Sequence, residues 1–126
     1  MFRLIATLFL NVARLFGVLA LLAGLSLWFG FDISLNQHVE IHMFLGIILV
    51  MSVWILALMS LLRKPVLAII AAVWVLVIPI LGIMQMGSPL FDSYTLTQVL
   101  HFIFGLGGIG MAEMLGKRLR APVSED

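Results

Sequence analysis

The chain has 126 residues, of which 63% are hydrophobic and only 10% charged, a balance that excludes an ordinary soluble domain and points to a bilayer. A formal net charge of +1 leaves no basic footprint for nucleic acid, so none is expected as a partner. With no cysteine, disulfides, thiolate metal centres, cysteine-held iron–sulfur clusters and cysteine-linked haem are all excluded.

Four apolar blocks, at residues 4–29, 39–62, 66–86 and 96–116, each approach or exceed the ~20 residues a helix needs to cross the hydrocarbon. They predict an all-α, four-helix transmembrane bundle forming one integral, multi-pass membrane domain over 1–126, in contact with the lipid bilayer. Little chain remains for a folded soluble part. Function is therefore expected from a cofactor or a partner.

Block one follows Arg3 and holds Asn11 and Arg14 in its first half. Its helix starts either near Leu4, overshooting the boundary, or near Ala13 behind an interfacial segment; in both cases Arg14 reaches the headgroups by snorkelling. A secretory leader is the competing reading, but no clear small-x-small cleavage site precedes Asp32, and the apolar run exceeds the ~7–15 residues of a signal core. Trp28 and Phe29 fit an interfacial belt. Residues 30–37 form a short polar connection in which Asp32, Ser34 or Asn36 can cap the next helix.

Block two ends at Arg63-Lys64-Pro65, where proline opens block three after a tight turn. Pro79 and Gly82 predict a bend in the second half of block three, which can widen an intramembrane pocket. Residues 87–98 read as a turn at Gly87-Ser88-Pro89 and a helix start around Asp92-Ser93-Tyr94-Thr95, with Tyr94 at the interface. Block four holds Gly105, Gly107, Gly108 and Gly110, a pattern that serves close helix packing, close contact with a cofactor, or oligomerisation.

Charge predicts the orientation. Arg3, Arg63, Lys64, Lys117, Arg118 and Arg120 fall at ends that four crossings put on one face, while Asp32 and Asp92 fall on the other. By the positive-inside rule both termini are expected in the cytoplasm, and the membrane is expected to be a bacterial inner (plasma) membrane. Glu113 has two candidate partners: Lys117, one turn away on the same helix, and Arg14 across the bundle.

The most informative pattern occurs twice, as Ile41-His42-Met43-Phe44-Leu45-Gly46-Ile47 and Leu100-His101-Phe102-Ile103-Phe104-Gly105-Leu106. An imidazole is costly inside a spanning helix and usually marks a site. The glycine one turn further on removes the side chain where a flat macrocycle would lie. Helices two and four run in the same direction, so the two histidines are expected at nearly one depth. Haem b suits this arrangement, because its iron accepts two neutral imidazoles and four-helix bundles build cofactor sites from facing interior positions.

On that reading His42 and His101 are the iron ligands, Gly46 and Gly105 make room for the ring, and Phe44, Phe102 and Phe104 are candidate walls. Each ligating imidazole needs an acceptor for its other N–H. His38, four residues before His42 on the same face, can meet a haem propionate or water, or replace His42 as ligand if the helix rotates. A zinc or copper site built from the three histidines is the other metal reading of that spacing. Gln85 can face a quinone carbonyl or the haem edge, and Met84 and Met86 read as packing. The competing roles for the histidine pair are interhelical hydrogen bonding and the ligation of one chlorophyll-type pigment each.

These residues resemble small four-helix, bis-histidine membrane b-type cytochromes and the haem-bearing membrane anchors of quinone-linked dehydrogenases. The resemblance rests on His42, His101, the glycines that follow them and the helix count. It implies one haem near the extracytoplasmic side, electron transfer to or from a quinone or a larger membrane redox complex, and an accessory or electron-transfer role rather than a stand-alone enzyme. Two-haem members carry four histidines, including a pair near the inner face. This chain has three and none there, which limits it to one haem. The alternatives are a non-redox scaffold or assembly subunit and a (bacterio)chlorophyll-binding subunit.

Overall fold

A computed structural model of the chain describes residues 1–30 and 35–121; the capping expected of Asp32, Ser34 or Asn36 lies outside the described side chains. The chain forms α1 (Phe2–Trp28), α2 (Leu35–Ser60), α3 (Pro65–Met86), one 3-10 turn (Leu90–Asp92) and α4 (Tyr94–Arg120). All four long helices are apolar and long enough to span a membrane. The first is unbroken from Phe2, and its 27 residues make about 40 Å of helix, so Arg14 lies within the helix and no interfacial segment precedes Ala13.

Local sequence explains where the helices begin. Pro65 occupies the first turn of α3, where its missing N–H costs no hydrogen bond. The helix then continues through Pro79, whose ring offers no donor to the Val75 carbonyl. The Ser93 hydroxyl caps α4 by accepting from the Leu96 N–H at 3.3 Å. Thr97, fully buried, accepts from the Leu90 N–H at 2.9 Å and donates to the Ser93 carbonyl at 2.8 Å, which fastens the loop to the first turn. That loop bends through left-handed backbone at Phe91 and Asp92, with φ of 50° and 55°.

The helices neighbour one another in the cyclic order α1, α2, α3, α4, and α2 also packs on α4 across the shorter diagonal. The contacts of Leu10 with Gly116 and of Gly17 with Ile109 set α1 antiparallel to α4. The Arg63 guanidinium lies 5.1 Å from the centre of the Phe2 ring, which brings the α2–α3 turn to the end where α1 begins and α4 finishes. Arg3, Arg63, Lys64, Lys117, Arg118 and Arg120 therefore share one end, called here the basic end.

Packing is tightest in the half nearer that end. Leu10, Val53, Leu56, Val75, Leu115 and Leu119 are fully buried there, separated by buried alanines that let the backbones approach. Three glycines of α4 serve the same purpose. A Cβ would come within 2.5 Å of the Trp74 ring at Gly107, 2.9 Å of Ile78 at Gly108 and 2.7 Å of Leu10 at Gly116. The Trp74 indole in turn stacks on Phe104 at 4.5 Å and donates to the Phe104 carbonyl at 3.1 Å. Of the glycine pattern in block four, Gly107 and Gly108 are thus taken up inside the bundle, while Gly105 and Gly110 adjoin open space.

Of the two partners expected for Glu113, the structure selects Arg14. The guanidinium forks onto the carboxylate, with Nε donating to Oε1 and Nη2 to Oε2 at 2.9 Å, while Nη1 reaches Asn11 Oδ1 at 3.2 Å. The planar fork matches a carboxylate in a way that a lysine ammonium does not.

Candidate functional site

His42 lies seven residues into α2 and His101 seven residues into α4, which puts each about 10 Å along its helix from the end opposite the basic one. The equal depth expected from the repeated pattern is what the fold provides. Across the α2–α4 diagonal the two rings face each other with centroids 5.8 Å apart and planes inclined at 58°. Both are half-buried.

Each ring is tied to the other helix of its own hairpin. His42 Nδ1 lies 2.9 Å from the Ala20 carbonyl oxygen on α1, and His101 Nδ1 lies 3.0 Å from the Ile78 carbonyl oxygen on α3. A carbonyl can only accept, so each Nδ1 carries the proton and donates it, and the neutral ring keeps its lone pair on Nε2. The acceptor that the sequence could not name is therefore a backbone carbonyl in both cases.

One turn beyond each acceptor stands a glycine that admits the ring. A Cβ at Gly24 would come within 2.9 Å of His42 Cε1, and one at Gly82 within 3.3 Å of His101 Cε1. The two hairpins are thus built alike, each with a carbonyl, a glycine four residues later, and a histidine whose bond to that carbonyl spans 22 residues in one hairpin and 23 in the other. Sequence reasoning identified the histidines and missed Gly24 and Gly82. The signal was present, because Gly24 precedes His42 by 18 residues and Gly82 precedes His101 by 19.

The surroundings of the pair are less closed than the core. Among residues 37–48 of α2 none is buried, and before Gly108 the only buried position of α4 is Thr97. Gly46 and Gly105, one turn inward of the histidines, have nothing within 4 Å of where a Cβ would stand. Phe102 is half-buried and meets Trp28 edge-on at 6.2 Å, closing the α1–α4 side. Phe104 stacks on Trp74 and closes the α3–α4 side. Phe44 is 62% exposed, since two residues past His42 the helix has turned away from the interior, and the fold does not bring it to the pair.

His38 sits one turn from His42 toward the helix start, half-buried, and its Nδ1 is enclosed with no hydrogen-bond partner. Gln85 Nε2, one turn past Gly82 on α3, is likewise enclosed and unpaired. Among the described residues no three His, Cys, Asp or Glu side chains are grouped as a metal ion would need, so a zinc or copper centre lacks its third protein ligand. Axial ligation of a macrocycle-held iron needs only two. Comparison with known proteins gives no match to a family model, to a curated protein or to a solved structure.

Proposed function

We propose that the protein is a membrane b-type cytochrome subunit that binds one haem b between α2 and α4, with His42 and His101 offering Nε2 to the iron. Its role on this reading is to pass electrons to or from a quinone or a larger membrane redox complex. The observation that carries the proposal is the facing pair of imidazoles, each with Nδ1 committed to a carbonyl and Nε2 left as a lone-pair donor. A separation of 5.8 Å between the ring centres leaves both imidazoles within reach of one shared ligand.

The bound group supplies one-electron chemistry at iron, and the chain's residues hold and shield it. The Ala20 and Ile78 carbonyls would fix the tautomer and orientation of the two imidazoles. Gly24 and Gly82 let the rings seat against the neighbouring helices. Open space beside Gly46 and Gly105 suits a flat ligand, and Phe102 and Phe104 lie on two sides of the interior. His38 and Gln85 offer unpaired polar atoms to propionates or to a quinone carbonyl. We assign the basic end to the cytoplasm, which puts both termini inside a bacterial plasma membrane and the histidine pair near its outer side.

The carbonyl bonds also favour a second reading, in which the histidines are interhelical ties in a non-redox scaffold subunit. A pigment on each histidine would need a macrocycle's thickness beside each ring, and the short gap between the rings favours one shared ligand instead. The test is a dithionite-reduced minus oxidised spectrum of the protein purified in mild detergent, with pyridine haemochrome analysis. Low-spin b-type bands at one haem per chain are expected. A preparation that stays colourless when haem is supplied during expression would hand the protein to the scaffold reading, and absorption in the red or near infrared would hand it to the pigment reading.

A further inference from the structure

The basic end holds a site of a different kind, independent of the histidines. A groove of about 320 Å³ runs between the start of α3 and the end of α4, lined by Lys64, Pro65, Val66, Leu67, Ile70 and Arg118. Two other cations of this end are engaged, Arg63 over the Phe2 ring and Arg120 on the Gly116 carbonyl at 3.1 Å. Lys64 and Arg118 are exposed and have no hydrogen-bond or ion-pair partner among the described residues. No side chain caps α3, so the positive end of a 22-residue helix dipole opens at the same place. Just below the two cations the wall turns apolar and exposed, with Val66 at 70% and Ile70 at 48%.

A ligand for this groove must be anionic at the rim and apolar beneath it, at the level where helix ends meet lipid headgroups. We propose that the groove binds an anionic phospholipid, its phosphate between Lys64 and Arg118 and an acyl chain along Val66 and Ile70. Basic recesses between membrane helices are suited to such headgroups, and the two unpaired cations supply the complementary charge.

Native mass spectrometry of the detergent-purified protein, titrated with dioleoylphosphatidylglycerol or dioleoylphosphatidylcholine, tests this. The phosphatidylglycerol is expected to bind about thirtyfold more tightly, from two basic contacts near the surface. In the Lys64→Gln/Arg118→Gln variant that preference should disappear, while Arg63→Gln/Lys117→Gln, an equal charge change at the same end, should keep most of it. Equal losses in the two variants would make the effect diffuse charge and overturn the site. Equal affinity for the two lipids would overturn it too. Displacement of the lipid by millimolar inorganic phosphate would reassign the groove to a free anion, and a severalfold gain in lipid affinity on Glu125→Gln/Asp126→Asn would reassign it to the chain's own carboxyl-terminal acids.

Discussion

Toward the basic end the four helices interlock through leucines, valines and alanines, whereas toward the opposite end the same helices face one another with two imidazoles and four glycines, Gly24, Gly46, Gly82 and Gly105. Lipid tails are as apolar as leucine, so helices in a bilayer gain little from hiding apolar side chains and associate through packing and polar contacts. One half of this bundle obtains that packing from interdigitated side chains. The other adds to a few buried side chains such as Ala20 and Leu81 the Trp28–Phe102 contact, two histidine–carbonyl bonds and the loop bonds of Thr97, and leaves its interior half-closed. On the proposed reading, the more open half is the one that holds the cofactor.

The largest effect should follow from removing the imidazoles. His42→Ala and His101→Ala are each expected to abolish the low-spin bis-imidazole spectrum, while His38→Ala leaves it largely intact. A low-spin spectrum retained in either of the first two variants removes the ligand assignment. Loss in His38→Ala with retention in His42→Ala would move ligation one turn along α2. If the histidines were ties alone, the same changes would register only as lost interhelical hydrogen bonds, about 1 kcal/mol each in denaturant titration.

The opposite half should respond in the opposite sense. Leu115→Ala, at a fully buried position of the dense half, is expected to cost about 2 kcal/mol, the lower part of the range for large-to-small core changes, since in lipid the packing loss dominates. Haem per folded chain should not change. A Leu115→Ala protein that stays equally stable but loses haem would show the two halves to be one cooperative unit and would undo the contrast.

Within the histidine half the two glycine seats should be unequal. Gly24→Ala puts a Cβ 2.9 Å from His42 Cε1, so the ring must move, whereas Gly82→Ala leaves 3.3 Å to His101 and needs only a few tenths of an ångström of adjustment. Positioning groups around metal ligands typically change affinity by about 10–100-fold, and Gly24→Ala is expected near the lower figure with Gly82→Ala well below it. Competitive haem transfer to apomyoglobin reads both. The reverse order would mean that His101 is the more rigidly seated ligand.

The helical architecture was legible because hydropathy and helix length are local properties, and the histidines were legible because an imidazole in an apolar run stands out. What escaped was relational. Gly24 and Gly82 look like ordinary membrane-helix glycines until their partners are known, and the acceptors of the histidine protons are main-chain carbonyls that no residue type announces. Phe44 failed to reach the interior for a geometric reason, since nearness in sequence to His42 says nothing of the helix face. The choice of Arg14 over Lys117 for Glu113 needed the antiparallel contact of α1 with α4, which only tertiary structure supplies.

The smallest effect discriminates most finely between a seat for a macrocycle and mere helix packing. Gly46 and Gly105 have open space where a Cβ would go, so alanine at either should be tolerated sterically and should stabilise the protein without haem by about 0.5–1 kcal/mol through reduced backbone freedom in the unfolded chain. If the macrocycle lies over these glycines, the added methyls should meanwhile weaken haem binding, so stability and affinity move in opposite directions. Were both to rise or affinity to stay constant, the ring would have to lie on another side of the imidazoles. The ligands would then stand while the orientation of the haem between α2 and α4 would need to be drawn again around Phe102 and Phe104.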